Sequence, residues 1–270
     1  MIKQIALVTK KPGMSRAAFI DRYENGHAVL ALRIVPSWTD YRRNYIIPGS
    51  GVALPDSPVA PEPPFDGISE FWFADQSKFD GLVRALQTDV GDQITEDETY
   101  LFDRSKITVF MADESVTPAK DLAPVPSGHR GRPAIKMVCL VSKKKGMSRA
   151  AFIEQYEKDH APYALKVLRR NGKPVFAEYR RSFPVEGSPF KLPHIEFDQT
   201  LDFDVMTEIW FWTKEDFEVF NALSEQDAIA GPMTENQEQL FDLSSVRMFL
   251  VEEHITPEEQ LYAHVPARAR

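Results

Sequence analysis

The chain repeats itself in order along most of its length. Residues 2–10 return as residues 135–143, and Gly13–Ile20 returns letter for letter as Gly146–Ile153. The further matches are Tyr23 with Tyr156, His27 with His160, Tyr41-Arg42-Arg43 with Tyr179-Arg180-Arg181, Glu70 with Glu208, and Leu101-Phe102-Asp103 with Leu240-Phe241-Asp242. Ordered self-similarity of this kind indicates a tandem duplication. The chain therefore consists of two copies of one module.

The repeat divides the 270-residue chain into four segments. We place the first module at residues 1–114, a linker at 115–132, the second module at 133–256 and a C-terminal tail at 257–270. Several prolines stand among polar residues in the linker, which is typical of a connecting segment. The linker is long enough for the second module to dock on the first.

Each module has the pattern βαββαβ. A strand-like alternation opens the module, and Ser15 is a good N-cap for a helix on which Phe19, Tyr23 and His27 share one stripe. A second helical region is expected at residues 77–104, broken near Gly91, before a last strand. The order predicts a ferredoxin-like α+β module with both helices on one face of an antiparallel sheet.

The third strand has large side chains on both faces. Phe71 and Phe73 lie on one face, and Glu70 and Trp72 lie on the other. A single module would expose an apolar sheet face, so we expect the two modules to pack sheet to sheet as a closed or nearly closed barrel. A buried carboxylate at Glu70 or Glu208 needs a partner, and we expect an arginine from the second strand.

Composition excludes several classes of function. The formal net charge of −8 gives no electrostatic basis for binding nucleic acid. Apolar runs fall far short of the roughly 20 residues of a membrane span, and the N-terminus shows no signal peptide, so we expect a cytoplasmic protein. Cys139 is the single cysteine, the histidines lack the spacing of metal ligands, and the sequence contains no phosphate-binding loop. We therefore expect neither a metal nor another cofactor.

Three strings resemble a known family. They are Lys-Lys-x-Gly-Met-Ser-x-x-x-Phe, Tyr-Glu-x-x-His-Ala and Tyr-Arg-Arg, and each occurs in both modules. The chain resembles the EthD family over residues 1–114 and 133–254. The resemblance implies an intrachain dimeric α/β barrel. Similar proteins include cofactor-free decarboxylases and oxygenases of phenolic or polyketide compounds, and accessory proteins. The resemblance leaves haem open, because related barrels can hold one.

Candidate catalytic residues come from the shared helix stripe. A histidine among aromatic side chains can act as a general acid or base, since its pKa lies near working pH, and the resemblance places it in the pocket. The alternative is a core histidine bonded to the backbone. Nearby tyrosines supply phenols, although buried tyrosines need partners in any case. The predicted catalytic residues are His160, His27, Tyr156 and Tyr23.

Candidate substrate-binding residues come from the strands and from a long loop. One arginine of each Arg-Arg pair can hold a carboxylate, although such pairs are often salt bridges. His194, in the loop of residues 184–202, has no counterpart in the first copy, and this loop is either a lid or a surface excursion. The predicted binding residues are Tyr179, Arg180, Arg181, His194, Trp210, Tyr41 and Arg43.

The two copies differ around their histidines. Asp97-Glu98 of the first copy becomes Asn236-Gln237, Leu30 becomes Tyr163, and the second lid brings His194. A pocket with more phenols and less negative charge suits an anionic aromatic acid. We therefore predict that the second module carries the main site, with His160 transferring protons and His27 subordinate.

Together these features favour a cofactor-independent lyase, a decarboxylase of a small phenolic or aromatic acid. A phenol conjugated to an acid-bearing carbon can lose CO₂ by proton transfers alone, with His and Tyr as acid and base and an arginine on the carboxylate. The alternatives are a cofactor-free aromatic monooxygenase and a non-catalytic ligand-binding accessory protein. The expected partner is a small aromatic substrate, with a homodimer possible.

Overall fold

A computed structural model describes residues 1–35, 38–54, 62–188 and 200–261. The first module has the predicted order of elements. Its strands and helices are β1 (Ile2–Val8), α1 (Arg16–Arg22), α2 (Ala28–Ile34), β2 (Trp38–Ile46), β3 (Gly67–Phe73), α3 (Gln76–Ala85), α4 (Asp89–Leu101) and β4 (Thr108–Val116).

The second module repeats this order and adds a short hairpin, β6–β7, before its second long strand. Its elements are β5 (Ile135–Lys143), α5 (Arg149–Gln155), α6 (Ala161–Val167), β6 (Arg169–Arg170), β7 (Lys173–Pro174), β8 (Glu178–Pro184), β9 (Val205–Phe211), α7 (Lys214–Ser224), α8 (Asp227–Leu240), β10 (Phe241–Ile255) and α9 (Glu258–Leu261). Nowhere in the described ranges is there a helix long and apolar enough to cross a membrane.

The long strands close into one barrel in the order β1-β3-β2-β10-β5-β9-β8-β4. The last strand of each module joins the two modules, because β4 pairs with β1 and with β8, while β10 pairs with β5 and with β2. The predicted α+β fold, two ferredoxin-like modules forming an intrachain dimeric α/β barrel, is confirmed. Backbone hydrogen bonds at both seams make the two modules one closed sheet.

The residues after each closing strand continue into the other module. β4 runs to Val116, which lies inside the segment expected to be a linker, and Leu122 beyond it is buried in the hydrophobic core of the second module. After β10, Leu261 of α9 is buried in the core of the first module. The segment between the modules is therefore part of the packing.

The first helix of each module contains a widened turn at its tyrosine and histidine. After the Ser15 cap, which accepts a hydrogen bond from Ala18 N, the backbone N–H of Ala28 bonds to the carbonyl of Tyr23, five residues back. The same π-helical turn covers Tyr156–His160. Such turns are rare in proteins, and those that occur often lie at functional sites.

The second helical region breaks between Ala85 and Asp89, a few residues before the predicted break at Gly91. Gly91 has a packing role instead. A Cβ on this glycine would lie 1.9 Å from the carbonyl oxygen of Leu86, so only glycine lets α4 start this close to the end of α3.

The barrel interior holds an apolar layer and a central charge cluster of Lys3, Glu70, Lys136 and Glu208. Lys3 Nζ lies 2.6 Å from Glu70 and 3.0 Å from Glu208. Lys136 Nζ lies 3.1 Å and 2.6 Å from the same two carboxylates. All four side chains are at most 2% exposed.

The partners of Glu70 and Glu208 correct the expectation of an arginine. Arg42 enters the barrel but lies 2.8 Å from Asp40 and 3.6 Å from Glu253. The lysines come from the first strand of each module and reach both glutamates. Burial alone would lower the pKa of Lys3, but Glu208 and Glu70, together with Glu114, outweigh it and raise the pKa.

Candidate active site

A cavity of about 520 Å³ lies between the helices and the sheet of the second module. This volume falls within the range of small-molecule pockets, about 300–1,000 Å³. Most of its wall is apolar, including Met137, Phe176, Ile209, Phe217, Phe220 and Phe241. His160, Tyr156 and Tyr179 also border it. The structure therefore brings three of the predicted site residues together around one space.

His160 presents a free nitrogen at the wall of this cavity. Its Nδ1 lies 2.7 Å from Asn236 Oδ1, which can only accept, so Nδ1 carries the proton and Nε2 has the lone pair. Nε2 has no hydrogen-bond partner among the described residues. Burial lowers the pKa of His160 to about 4, with the Asn236 bond acting in the opposite direction. The ring is therefore a neutral acceptor at neutral pH.

Tyr156 and Tyr179 border the same cavity as protonated phenols. Tyr156 Oη lies 2.8 Å from Thr207 Oγ1, and its ring centroid is 4.9 Å from that of His160. Burial raises the pKa of Tyr156 well above its usual value and that of Tyr179 to about 12. Sequence reasoning missed Thr207, although the copies offer a signal, since Ser69 supplies the equivalent hydroxyl to Tyr23 at 2.6 Å.

The predicted arginines and Trp210 lie outside the cavity. Strand alternation turns Arg180 and Trp210 into the barrel, where Trp210 Nε1 donates to Glu253 Oε2 at 3.0 Å. Arg181 faces the helices but is held by both carboxylate oxygens of Glu157, at 2.9 and 2.6 Å. Neither lysine nor arginine appears among the described residues that line the cavity. The expected carboxylate anchor is therefore not in this space.

One wall of the cavity comes from the first module. Gly51, Val52 and Leu54 border it, and Val52 N donates to the Met248 carbonyl at 2.9 Å. The described start of the loop at residues 184–202 contacts the first module, because Val185 N donates to the carbonyl of Met111 there. The described residues of this loop, 184–188 and 200–202, do not line the cavity, and the lid stays a prediction. His194 lies outside the described residues.

The cavity also has a polar region that was not predicted from the sequence. Asn221, Ser224 and Gln237 line it from α7 and α8. Counted from the preceding strand, Ser224 stands where the first copy has Leu86. Comparison of the two copies at helical spacing would have shown this change from apolar to polar.

The first module keeps the same polar groups without the space. His27 Nδ1 donates to Asp97 at 2.8 Å, Tyr41 Oη lies 3.5 Å from Tyr23 Oη, and Arg43 is bound to Glu24 at 2.6 Å. The pocket beside His27 measures about 90 Å³, well below the range of ligand pockets. The predicted residues of the first module come together, but around a filled core.

Fold and cavity define an α/β barrel of two ferredoxin-like modules with a small-molecule pocket beneath the helices of one module. The chain belongs to the EthD domain family, which it matches over residues 11–105 and again over 144–244. In the part of the chain that the structure describes, no group of three or more His, Cys, Asp or Glu side chains could hold a metal ion.

Two solved structures are similar to this chain over nearly its whole length. A candidate monooxygenase from Lactobacillus acidophilus NCFM is 10% identical with a TM-score of 0.50, over 95% of this chain and 96% of that one. An anthrone oxidase-like protein is 10% identical with a TM-score of 0.53, over 94% and 92%. At this identity the similarity shows the fold. No curated protein sequence matches the chain.

Proposed function

We propose that this protein is a monooxygenase that oxidises an uncharged, flat aromatic molecule in the cavity of the second module. The observation that carries the proposal is the lone pair of His160 Nε2, without a partner among the described residues, at the wall of a largely apolar cavity. An acceptor in such surroundings suits a substrate that presents a hydroxyl group or an acidic C–H bond.

The charge of the cavity favours one of the reactions considered from the sequence. An aromatic acid would bring a carboxylate into a space whose described lining has no lysine or arginine. Burying an unpaired carboxylate is strongly unfavourable. The decarboxylase hypothesis needed an arginine on the carboxylate, and Arg181 is committed to Glu157. A neutral substrate carries no such cost, so we favour the monooxygenase.

The proposed reaction balances without an external reductant. A CH₂ group activated by a neighbouring hydroxyarene or carbonyl gives a proton to Nε2, and the carbanion transfers electrons to O₂ and forms a C–O bond. The resulting peroxide takes the proton back from the imidazolium. Loss of water from the hydroperoxide leaves a carbonyl, so CH₂ and O₂ become C=O and H₂O.

Burial of His160 fits a short-lived proton carrier. Its lowered pKa, about 4, makes the imidazolium unfavourable, so the proton is returned readily to the peroxide. Two structural neighbours have names that denote oxidative enzymes, which agrees with the proposal.

Oxygen consumption with a neutral probe tests the proposal. We expect the protein to consume one O₂ per molecule of anthrone oxidised, and to do nothing under argon. Dialysis against a strong chelator should leave the rate unchanged, because the substrate supplies the electrons. Release of CO₂ from phenolic acids under argon would instead support the decarboxylase, and tight binding without turnover would support an accessory protein.

A further inference from the structure

We propose that the first module contains a latent binding site filled by its own Phe71, and that Ile209, the equivalent residue of the second module, leaves this space to an aromatic ligand. The proposal deepens the proposed function, since it takes from it only the aromatic class of the ligand. Two equivalent tyrosines, one in each module, have different neighbours.

Tyr41 of the first module has three close neighbours. The Arg43 guanidinium lies over its ring at 4.5 Å from the centroid. The Phe71 ring stacks on it at 4.7 Å with an interplanar angle of 16°. Trp38 contacts both rings, at 4.9 Å from Tyr41 and 5.1 Å from Phe71.

Tyr179 of the second module keeps the cation and one neighbouring ring, that of Phe176 at 5.4 Å. The Arg181 guanidinium lies 4.6 Å from its ring centroid, matching Arg43 on Tyr41. Opposite Tyr179 in the sheet stands Ile209, at the place where Phe71 is paired with Tyr41. Ile209 and Tyr179 both border the large cavity. The second module therefore has an aliphatic side chain beside the cavity at the position where the first module has a ring.

A histidine and a tyrosine correspond in the two pockets. His27 and Tyr23 border the small pocket with Phe71, as His160 and Tyr156 border the large cavity. Trp38 borders the small pocket as well. Its buried Nε1 has no hydrogen-bond partner among the described residues, which leaves a donor for an oxygen atom of a ligand. Phe71 thus borders a pocket with the same histidine and tyrosine as the large cavity, while Leu86 stands in place of Ser224.

Exchange of the two residues tests this inference. Calorimetric titration with 1-naphthol under argon measures binding whether or not the protein oxidises the ligand. A negative result in this experiment can therefore be distinguished from failure of the proposed function. We expect one equivalent to bind to the wild type and about tenfold weaker binding, or none, to Ile209→Phe. The variant Phe71→Ile copies the residue of the second module and should bind two equivalents.

The double variant Ile209→Phe/Phe71→Ile provides the matched control. The double variant should bind one equivalent. Adding His27→Ala to it should weaken that binding, whereas His27→Ala in a protein that keeps Phe71 should leave the affinity for 1-naphthol unchanged. Phe71→Leu serves if Phe71→Ile fails to show a cooperative thermal transition. Unchanged affinity in Ile209→Phe, or a single equivalent in folded Phe71→Ile and Phe71→Leu, would overturn the proposal.

Discussion

His160 bonds to Asn236 where His27 bonds to Asp97, at nearly the same distance, 2.7 and 2.8 Å. Both partners fix the imidazole by accepting from Nδ1. Asp97 brings a negative charge to the ring of His27 and also binds Arg22, whereas Asn236 is uncharged. One change of side chain thus separates a histidine that remains a neutral acceptor from one paired with a carboxylate.

Removal of the two imidazoles should have unequal effects. His160→Ala should lower kcat by about 10²–10⁴-fold, the usual contribution of a general acid or base. His27→Ala should change kcat much less, since its pocket of about 90 Å³ has no room for a substrate. Steady-state kinetics would be compared, with thermal unfolding as the control for folding. Equal losses would mean two working sites, and the reverse order would place the site in the first module.

The acid limb of the pH–rate profile should report His160. Because the neutral ring is the acceptor, activity should persist down to a pH near its pKa of about 4 and fall below it. Asn236→Asp brings in a carboxylate that stabilises the imidazolium, so the limb should move to higher pH. Profiles of kcat/KM for both proteins would check this. An unmoved limb would mean that another group sets it.

His160 should also make the fold sensitive to acid. Its pKa falls from 6.5 when exposed to about 4 when buried, so the unfolded chain binds the proton more readily. The contribution of His160 to the free energy of unfolding is fully present above pH 6.5 and is lost as the pH falls towards 4. The total loss is on the order of 3 kcal/mol. Urea unfolding at pH 7 and pH 4.5 should show a smaller loss for His160→Gln than for the wild type. An equal loss would contradict this account.

The central charge cluster should respond strongly to loss of one cation. Lys136→Met leaves Glu70 and Glu208 with one lysine between them, and breaking a buried ion pair costs about 3–5 kcal/mol. Lys158→Met, which removes an exposed lysine paired with Glu154, is the control and should change little. Urea midpoints would be compared. Similar midpoints for both variants would show that the cluster contributes little to stability.

Local patterns in the sequence predicted the barrel. The repeat, the helix stripe of Phe19, Tyr23 and His27, and the alternation in β3 each depend on neighbours in the chain. The split of Arg42 and Arg43 onto opposite faces followed from the same alternation. These properties are fixed within a strand or a helix, so they could be read without the structure.

Contacts between distant elements could not be predicted in this way. Arg181 was expected at the substrate, but Glu157 of the first helix holds it. The glutamates of the barrel bind lysines because β1 and β5 bring ammonium groups between them. Whether a pocket is open depends on how far a ring such as Phe71 reaches across the sheet. Each outcome is set by packing in three dimensions.

The exchange of closing strands between the modules makes each half of the barrel a permanent support for the other. In a homodimer of identical chains every substitution would occur twice. A substitution that enlarges one pocket would then enlarge the second pocket too. In a fused chain Ile209 occurs once, and the equivalent position of the first module keeps Phe71. One half can therefore change its substrate range while the other, filled by its own side chains, keeps the fold stable.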